Sequence, residues 1–257
     1  MLIENNGNLK MSSKEKSNEI DKRYILALMQ VVGPLISLWA IFAYGSLVWI
    51  PVVLVMFFLM KCVGVTITYH RILSHSTHKM NPIVEAVCTF LGLHGTYASP
   101  IDFAAGHTLH HKHADTPKDP HGPHHMGWKV VFPIFWDTGG PTGGDLRTVV
   151  RLMRNKITLF FHRNFWILLP IPYLLLLFSP QLFFFGYFVP ATLSIWASAY
   201  AVFNHDENGP VDKGFLYGVV TGGEHAHVWH HTNPGDTTGE GWLNTVATFI
   251  AKKRGAL

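Results

Sequence analysis

The sequence predicts an all-α integral membrane protein: four transmembrane helices arranged as two hairpins, with a histidine-rich cap on the cytoplasmic side. Three observations carry this reading. Of 257 residues, 48% are hydrophobic and only 14% are charged, against roughly 25% charged in an ordinary soluble domain. Charged residues are missing altogether from two long stretches. The chain also holds 17 histidines against 16 acidic residues, a surplus that points to metal binding. The apolar content, with 13% aromatics, excludes disorder over most of the chain. Cys62 and Cys88 both lie in apolar runs and form no Cys-x-x-Cys, which excludes a disulfide scaffold and a cysteine zinc site. A net charge of +4 needs no nucleic acid to explain it.

The elements follow in order. Residues 1–23 are polar and of mixed charge, without the apolar core of a secretory signal, and read as a flexible cytoplasmic tail. Residues 24–257 form the membrane domain. From Tyr24 to Met60 there is no charged residue. A pass through a hydrocarbon core of ~30 Å needs roughly 20 residues, so this stretch predicts a hairpin with spans near 25–44 and 47–68, turning at Gly45-Ser46. The run from Pro82 to Pro100 is interrupted by Glu85 and His94, and reads as an interfacial or re-entrant segment. From Asn164 to His205 charge is absent again. That stretch predicts a second hairpin with spans near 163–179 and 182–203, broken at Ser179-Pro180-Gln181, with Pro170, Pro172 and Pro190 tolerated as membrane helices tolerate proline.

An even number of spans puts both termini and the polar section 70–160 on one side. Lys14, Lys22, Arg23, Arg147, Arg151, Arg154, Lys252, Lys253 and Arg254 all lie there, and the opposite turns carry no lysine or arginine. The positive-inside rule makes that side cytoplasmic. All the histidines fall on it or at the membrane boundary.

Three histidine clusters stand out: His70 with His75; His107, His110 and His111; and His227, His230 and His231. The i, i+3, i+4 spacing of the last two puts three imidazoles on one helix face, so a triad can give two ligands to one metal and the third to a neighbour. His70 and His75 are predicted to turn inward around a helix end between them. Together these eight imidazoles exceed what one ion takes and suit two, with positions left open. Imidazole suits iron, zinc and copper, and the missing cysteines disfavour a structural zinc site. His78, His94, His113, His124, His125, His162 and His225 follow no repeated spacing and read as supporting, interface or surface histidines.

With its spans and boxes in this order, the sequence resembles the membrane fatty acid desaturases, most closely the acyl-CoA-type Δ9 branch. The resemblance runs through GVTITYHRILSH at 64–75, SPIDFAAGHTLHHKHADTPKDPH at 99–121, HMGW at 125–128, RNFW at 163–166 and GGEHAHVWHH at 222–231. It implies two iron ions held by His70, His75, His107, His110, His111, His227, His230 and His231, and by His205 as a ninth ligand past the last span. It further implies O2 as co-substrate and a fatty acyl substrate, as a thioester or a lipid. The two-electron donor is expected to be a separate protein such as a ferredoxin or cytochrome b5. Asp115, Asp119, His121 and Glu224 are expected to orient imidazoles from behind.

Four positions depart from the family pattern. Thr108 replaces an arginine of the second box, and Val228-Trp229 replaces the usual polar pair of the third. Ala201 stands where the family has an asparagine that holds a metal-bound water. Only Lys129 remains of the basic cluster expected after His125-Met126-Gly127-Trp128, which leaves the acyl carrier open between coenzyme A, an acyl carrier protein and a lipid. Trp49, Tyr69, Trp196 and Tyr200 are candidates to line the acyl tunnel. The same boxes would serve a lipid hydroxylase or acetylenase, the alternative outcome of the same chemistry. A histidine-rich metal transporter would need ionisable groups in the uncharged stretches.

Overall fold

The computed structural model describes residues 2–5, 8–11, 13–132, 135 and 145–253, and helices dominate them. In the segment read as a tail, Leu2–Asn5 pairs with Asn8–Met11. The first long helix, α1 (Ser13–Tyr44), already begins there, in a run of Lys and Glu that suits a helix. The amide of Gly45 closes α1 onto the Ile41 carbonyl at 2.9 Å, and Ser46, extended at φ −150°, starts α2 (Leu47–Ser74). Ala27–Tyr44 and Leu47–Ser74 are both long and apolar enough to cross a membrane.

Helix α2 corrects the sequence reading at its end. It runs past 68 to Ser74, wound as a π-helix from Phe58 onward, so that hydrogen bonds reach five residues back. Side chains follow the same register: the Thr68 hydroxyl donates to the Val63 carbonyl at 2.7 Å and the Ser74 hydroxyl to Tyr69 at 2.8 Å. The helix end falls at Ser74, between His70 and His75, as the sequence reading expects. His75 is the C-cap, and the wider winding brings its ring within 5.6 Å of that of His70.

Helix α3 (Pro82–Thr96), capped by Asn81, packs along α2. Their backbones touch: a Cβ on Gly64 would sit 2.4 Å from the Gly92 nitrogen, and one on Gly92 would sit 2.7 Å from the Gly64 carbonyl. Tyr97 ends α3 in the left-handed region at φ 50°. Ser99 then caps α4 (Pro100–His113), its hydroxyl accepting from the Asp102 amide. Asp145 and Asn155 cap α5 (Leu146–Met153) and α6 (Lys156–Arg163).

The second hairpin is not two straight spans. The expected span 163–179 is short and enters at an angle: Phe165–Leu177 follows α6 across a 71° bend at Asn164. Pro170 and Pro172 offer no amide hydrogen, and Ile171–Leu177 winds as a 3-10 helix instead. Three helices are therefore long and apolar enough to span, or four if the bent pair is one span. The last is α7 (Pro180–Ala201), whose π-turn Phe184–Phe188 immediately precedes Pro190. Leu35, Phe42, Leu47, Val48, Leu54, Leu177 and Phe178 are all more than half exposed, a surface that lipid rather than water suits.

After α7 the chain turns tightly, pairing His205–Asp206 with Gly209–Pro210. It continues as α8 (Phe215–Thr221), α9 (His227–Thr232) and α10 (Trp242–Ile250). Leu243 and Ala247 of α10 pack on Cys62, Val63 and Ile67 of α2, and Lys252–Lys253 pairs with His78–Lys79. This closure holds α4 and α9 against the end of α2.

Candidate metal centre

The end of α2 supplies His70 and His75, α4 supplies His107, His110 and His111, and α9 supplies His227, His230 and His231. His205 comes from the turn after α7. Two glycines aim the segment between α8 and α9. Gly222 caps α8 at φ 68° and Gly223 follows at φ 117°, and a Cβ on either would come within 2.6 Å of Lys61 or Leu243. Side chains are therefore excluded just before Glu224.

The histidines fall into two groups. One holds His70, His75, His107, His111 and His230; the other holds His110, His205, His227 and His231, with the ligand nitrogens of each group within 4.8 Å of one another. Each triad splits two to one. α4 gives His107 and His111 to the first group and His110 to the second. α9 gives His227 and His231 to the second and His230 to the first. This division follows from the 3.6-residue period: positions i and i+4 lean one way and i+3 the other.

Carboxylates stand behind the rings. His70 Nδ1–H donates to Glu224 at 2.8 Å, His110 Nδ1–H to both oxygens of Asp119 at 2.9 Å, and His205 Nδ1–H to Asp115 at 3.0 Å. Asp119 also accepts from the His121 amide at 3.0 Å, and the His121 ring stacks on His110 at 4.3 Å. Two supporting residues escape the sequence reading. Arg71 Nε donates to Glu240 at 2.8 Å, its Nη2 donates to Glu224 at 3.2 Å, and Glu240 lies 3.4 Å from His230 Nδ1. Arg71 and Glu240 are 169 positions apart. The one available signal was an arginine just inside the end of an apolar span, where it must find a partner.

The donor set fits a cation. A ring whose Nδ1–H is given to a carboxylate presents its lone pair at Nε2. His70 Nε2 lies 2.7 Å from His230 Nε2, which also lies 2.9 Å from His111 Nε2. His107 faces His75 at 3.0 Å, and His227 faces His205 at 3.0 Å. Where both nitrogens of such a pair present lone pairs, they repel unless a positive ion sits between them. Burial, reinforced by nearby charge, holds His107, His110, His111, His227 and His230 well below the ordinary imidazole range. It brings His231 down to about 2. Neutral rings are the form that binds metal. Burial alone would raise the Glu224 carboxyl, but Arg71, His70 and Lys61 hold it well below the usual carboxylate range.

Both groups open onto a cavity of about 280 Å³ whose wall includes His70, His107, His110, His205 and His227. The rest of the wall includes Val65, Tyr97, Phe103, Phe165, Trp166, Ile195 and Val202. The aromatic candidates from the sequence lie elsewhere. Trp49 stacks on Phe185, Tyr69 donates to the Thr89 carbonyl, Trp196 to the Gln30 carbonyl, and Tyr200 faces Tyr217.

No family model matches the chain. Pairwise similarity is informative. The chain is 24% identical to a probable acyl-CoA desaturase of Schizosaccharomyces pombe over 238 residues, 82% of this chain and 48% of that protein. It is 30% identical to the acyl-CoA Delta-12 desaturase of Tribolium castaneum over 204 residues, 69% of this chain and 56% of the relative. It is 34% identical over 76 residues, 30% of this chain and 25% of the relative, to Delta-9 acyl-lipid desaturase 1 of Arabidopsis thaliana. The chain belongs to the membrane fatty acid desaturase family. It spans about half the length or less of these curated relatives.

The structure accounts for most of the departures from the desaturase pattern. Thr108 turns away from the imidazoles, its hydroxyl donating to the Ala104 carbonyl at 2.7 Å and receiving from Thr148 at 3.3 Å. Trp229 Nε1–H donates to the Asp236 carbonyl at 2.9 Å, and its ring covers Gly239 so closely that a Cβ there would lie 2.2 Å from it. Val228 takes its amide to Asp212. Ala201 lines the cavity. Nearby Asn204 is buried and donates to the Glu224 carbonyl at 2.6 Å. The histidines without repeated spacing stay out of both groups among the described residues. His94 bonds Tyr187, His162 bonds Ser99, His78 bonds Thr77, and His225 stacks on Trp242.

Proposed function

We propose that this chain is an O2-dependent fatty acyl desaturase in which each histidine group holds one iron. The observation that carries the reading is the convergence of nine imidazoles in two groups, three of them carboxylate-anchored, beside an apolar cavity, in a chain similar to proteins named as desaturases. The two irons, when bound, supply the oxidising power that no side chain has, enough with O2 to remove hydrogen from an unactivated methylene pair. The balance is –CH2–CH2– plus O2, two electrons and two protons, giving –CH=CH– and two waters.

The chain's own residues do the positioning. Glu224, Asp119 and Asp115 fix the tautomers of His70, His110 and His205, and Arg71 neutralises the two buried carboxylates that face it. Tyr97, Phe103, Phe165 and Trp166 form an apolar wall that holds an acyl chain beside the rings and excludes water. The substrate is a fatty acyl thioester or lipid. Electrons come from a separate protein of the ferredoxin or cytochrome b5 type. Four spans, counting the bent pair as one, form two hairpins that put both termini, the 1–23 tail and the metal centre on the cytoplasmic side.

The test is expression in a host lacking its own desaturase, with mass analysis of the host lipids. Loss of two hydrogens from the acyl chain is expected, and its absence in His110→Ala and His230→Ala. Gain of one oxygen would overturn desaturation in favour of hydroxylation, and full activity in either variant would overturn the metal assignment.

A further inference from the structure

Across α4 from the cavity lies a second groove. Phe103, Gly106, His107 and His110 of α4 line the cavity, whereas Leu109 and Lys112 line the groove with Arg147, Arg151 and Arg154 of α5. Helix α5 with its C-cap Arg154 carries two adjacent stripes at i, i+4, i+7: Arg147, Arg151 and Arg154, and beside them Leu146, Val150 and Met153. The apolar three are 55%, 44% and 48% exposed. A short helix with a basic stripe flanking an exposed apolar one suits a bilayer interface.

The level of the groove is fixed independently. Arg151 Nη2 donates to the carbonyls of Leu73 and Ser74 at 2.6 and 2.9 Å. These are the last residues of α2, so the groove lies level with the end of a span. Lys112, Arg147 and Arg154 are exposed, and none pairs with a carboxylate among the described residues. Among the described residues the one acid in the groove is Asp145, which is engaged as the N-cap of α5, accepting from the Thr148 amide at 2.9 Å.

We propose that this groove binds the phosphate headgroup of an anionic phospholipid. Lys112, Arg147 and Arg154 would face the phosphate, and Leu146, Val150 and Met153 would meet the acyl chains. Charge complementarity supports the headgroup. The exposed apolar stripe at the span boundary favours a lipid over a soluble acidic protein, which would match the cations alone.

The experiment uses the full chain purified in detergent, with retention of phosphatidylglycerol and phosphatidylcholine compared by native mass spectrometry. A preference of about tenfold for phosphatidylglycerol is expected, falling to parity in Arg147→Gln/Arg154→Gln and kept in Arg147→Lys/Arg154→Lys. The native preference should also shrink between about 0.1 and 1 M salt, a readout that needs no variant. Parity in the native protein, an undiminished preference in the Gln pair, or displacement of phosphatidylglycerol by inorganic phosphate would overturn the proposal. So would capture of an acidic protein without lipid preference. The proposal rests on α2 being a span. Release from membranes by carbonate without detergent would fail that reading, whereas detergent-dependent extraction with lipid parity would fail the groove alone.

Discussion

The two histidine groups share their helices but not their foundations. The first is anchored to the end of α2 by a lattice of buried charge: Arg71, Glu224 and Glu240 are 1–6% exposed in their side chains. The second is supported from the loop after α4 by Asp115, 25% exposed, and by Asp119, which is buried but bonded to His110 and to backbone amides rather than to an arginine. The difference separates two jobs. Charge buried beside the first group helps to hold the fold together, whereas the acids behind the second orient rings on a scaffold that already stands.

Five substitutions test this contrast, from the largest effect to the smallest. His230→Ala and His110→Ala should each abolish product, the first emptying the α2-anchored group and the second the loop-supported group. Each should retain about half the native iron by elemental analysis with the protein still in the membrane. If both variants lose all iron, the groups are one cooperative site and the comparison fails. Arg71→Met strands two buried carboxylates and should cost about 3–5 kcal/mol, read as a lowered melting temperature in detergent. An unchanged melting temperature would show that Glu224 and Glu240 do not depend on it. Asp119→Asn should weaken metal at the second group by about 10–100-fold with little change in melting temperature, measured by chelator competition. Asp115→Asn, at a partly exposed acid, should act in the same direction and less. A larger loss than for Asp119→Asn would reverse the assignment of which acid matters more.

Much of this organisation was legible in the sequence because it rests on short-range regularities. Absence of charge marked the first two long apolar helices, and the i, i+3, i+4 spacing allowed for a triad to divide two to one between two groups. The unread parts depend on longer-range or local backbone physics. The π-winding of α2 and its backbone contact with α3 at Gly64 and Gly92 leave no mark in the residue periodicity. The bend at Asn164, where the expected third span begins, and the 3-10 winding after Pro170 sit in a stretch whose hydropathy alone reads as continuous. Arg71 and Glu240 meet across 169 positions, and a lone Glu in a glycine-rich loop gives no hint of that partner.

The central claim is that two separate groups of imidazoles each hold an iron. The most direct measurement is the iron content of the purified native chain beside His230→Ala and His110→Ala, with the iron environment followed by Mössbauer spectroscopy. The account predicts two irons per chain in the native protein and one in each variant, with different remaining signals in the two. A single iron in the native chain, or the same remaining signal in both variants, would contradict it.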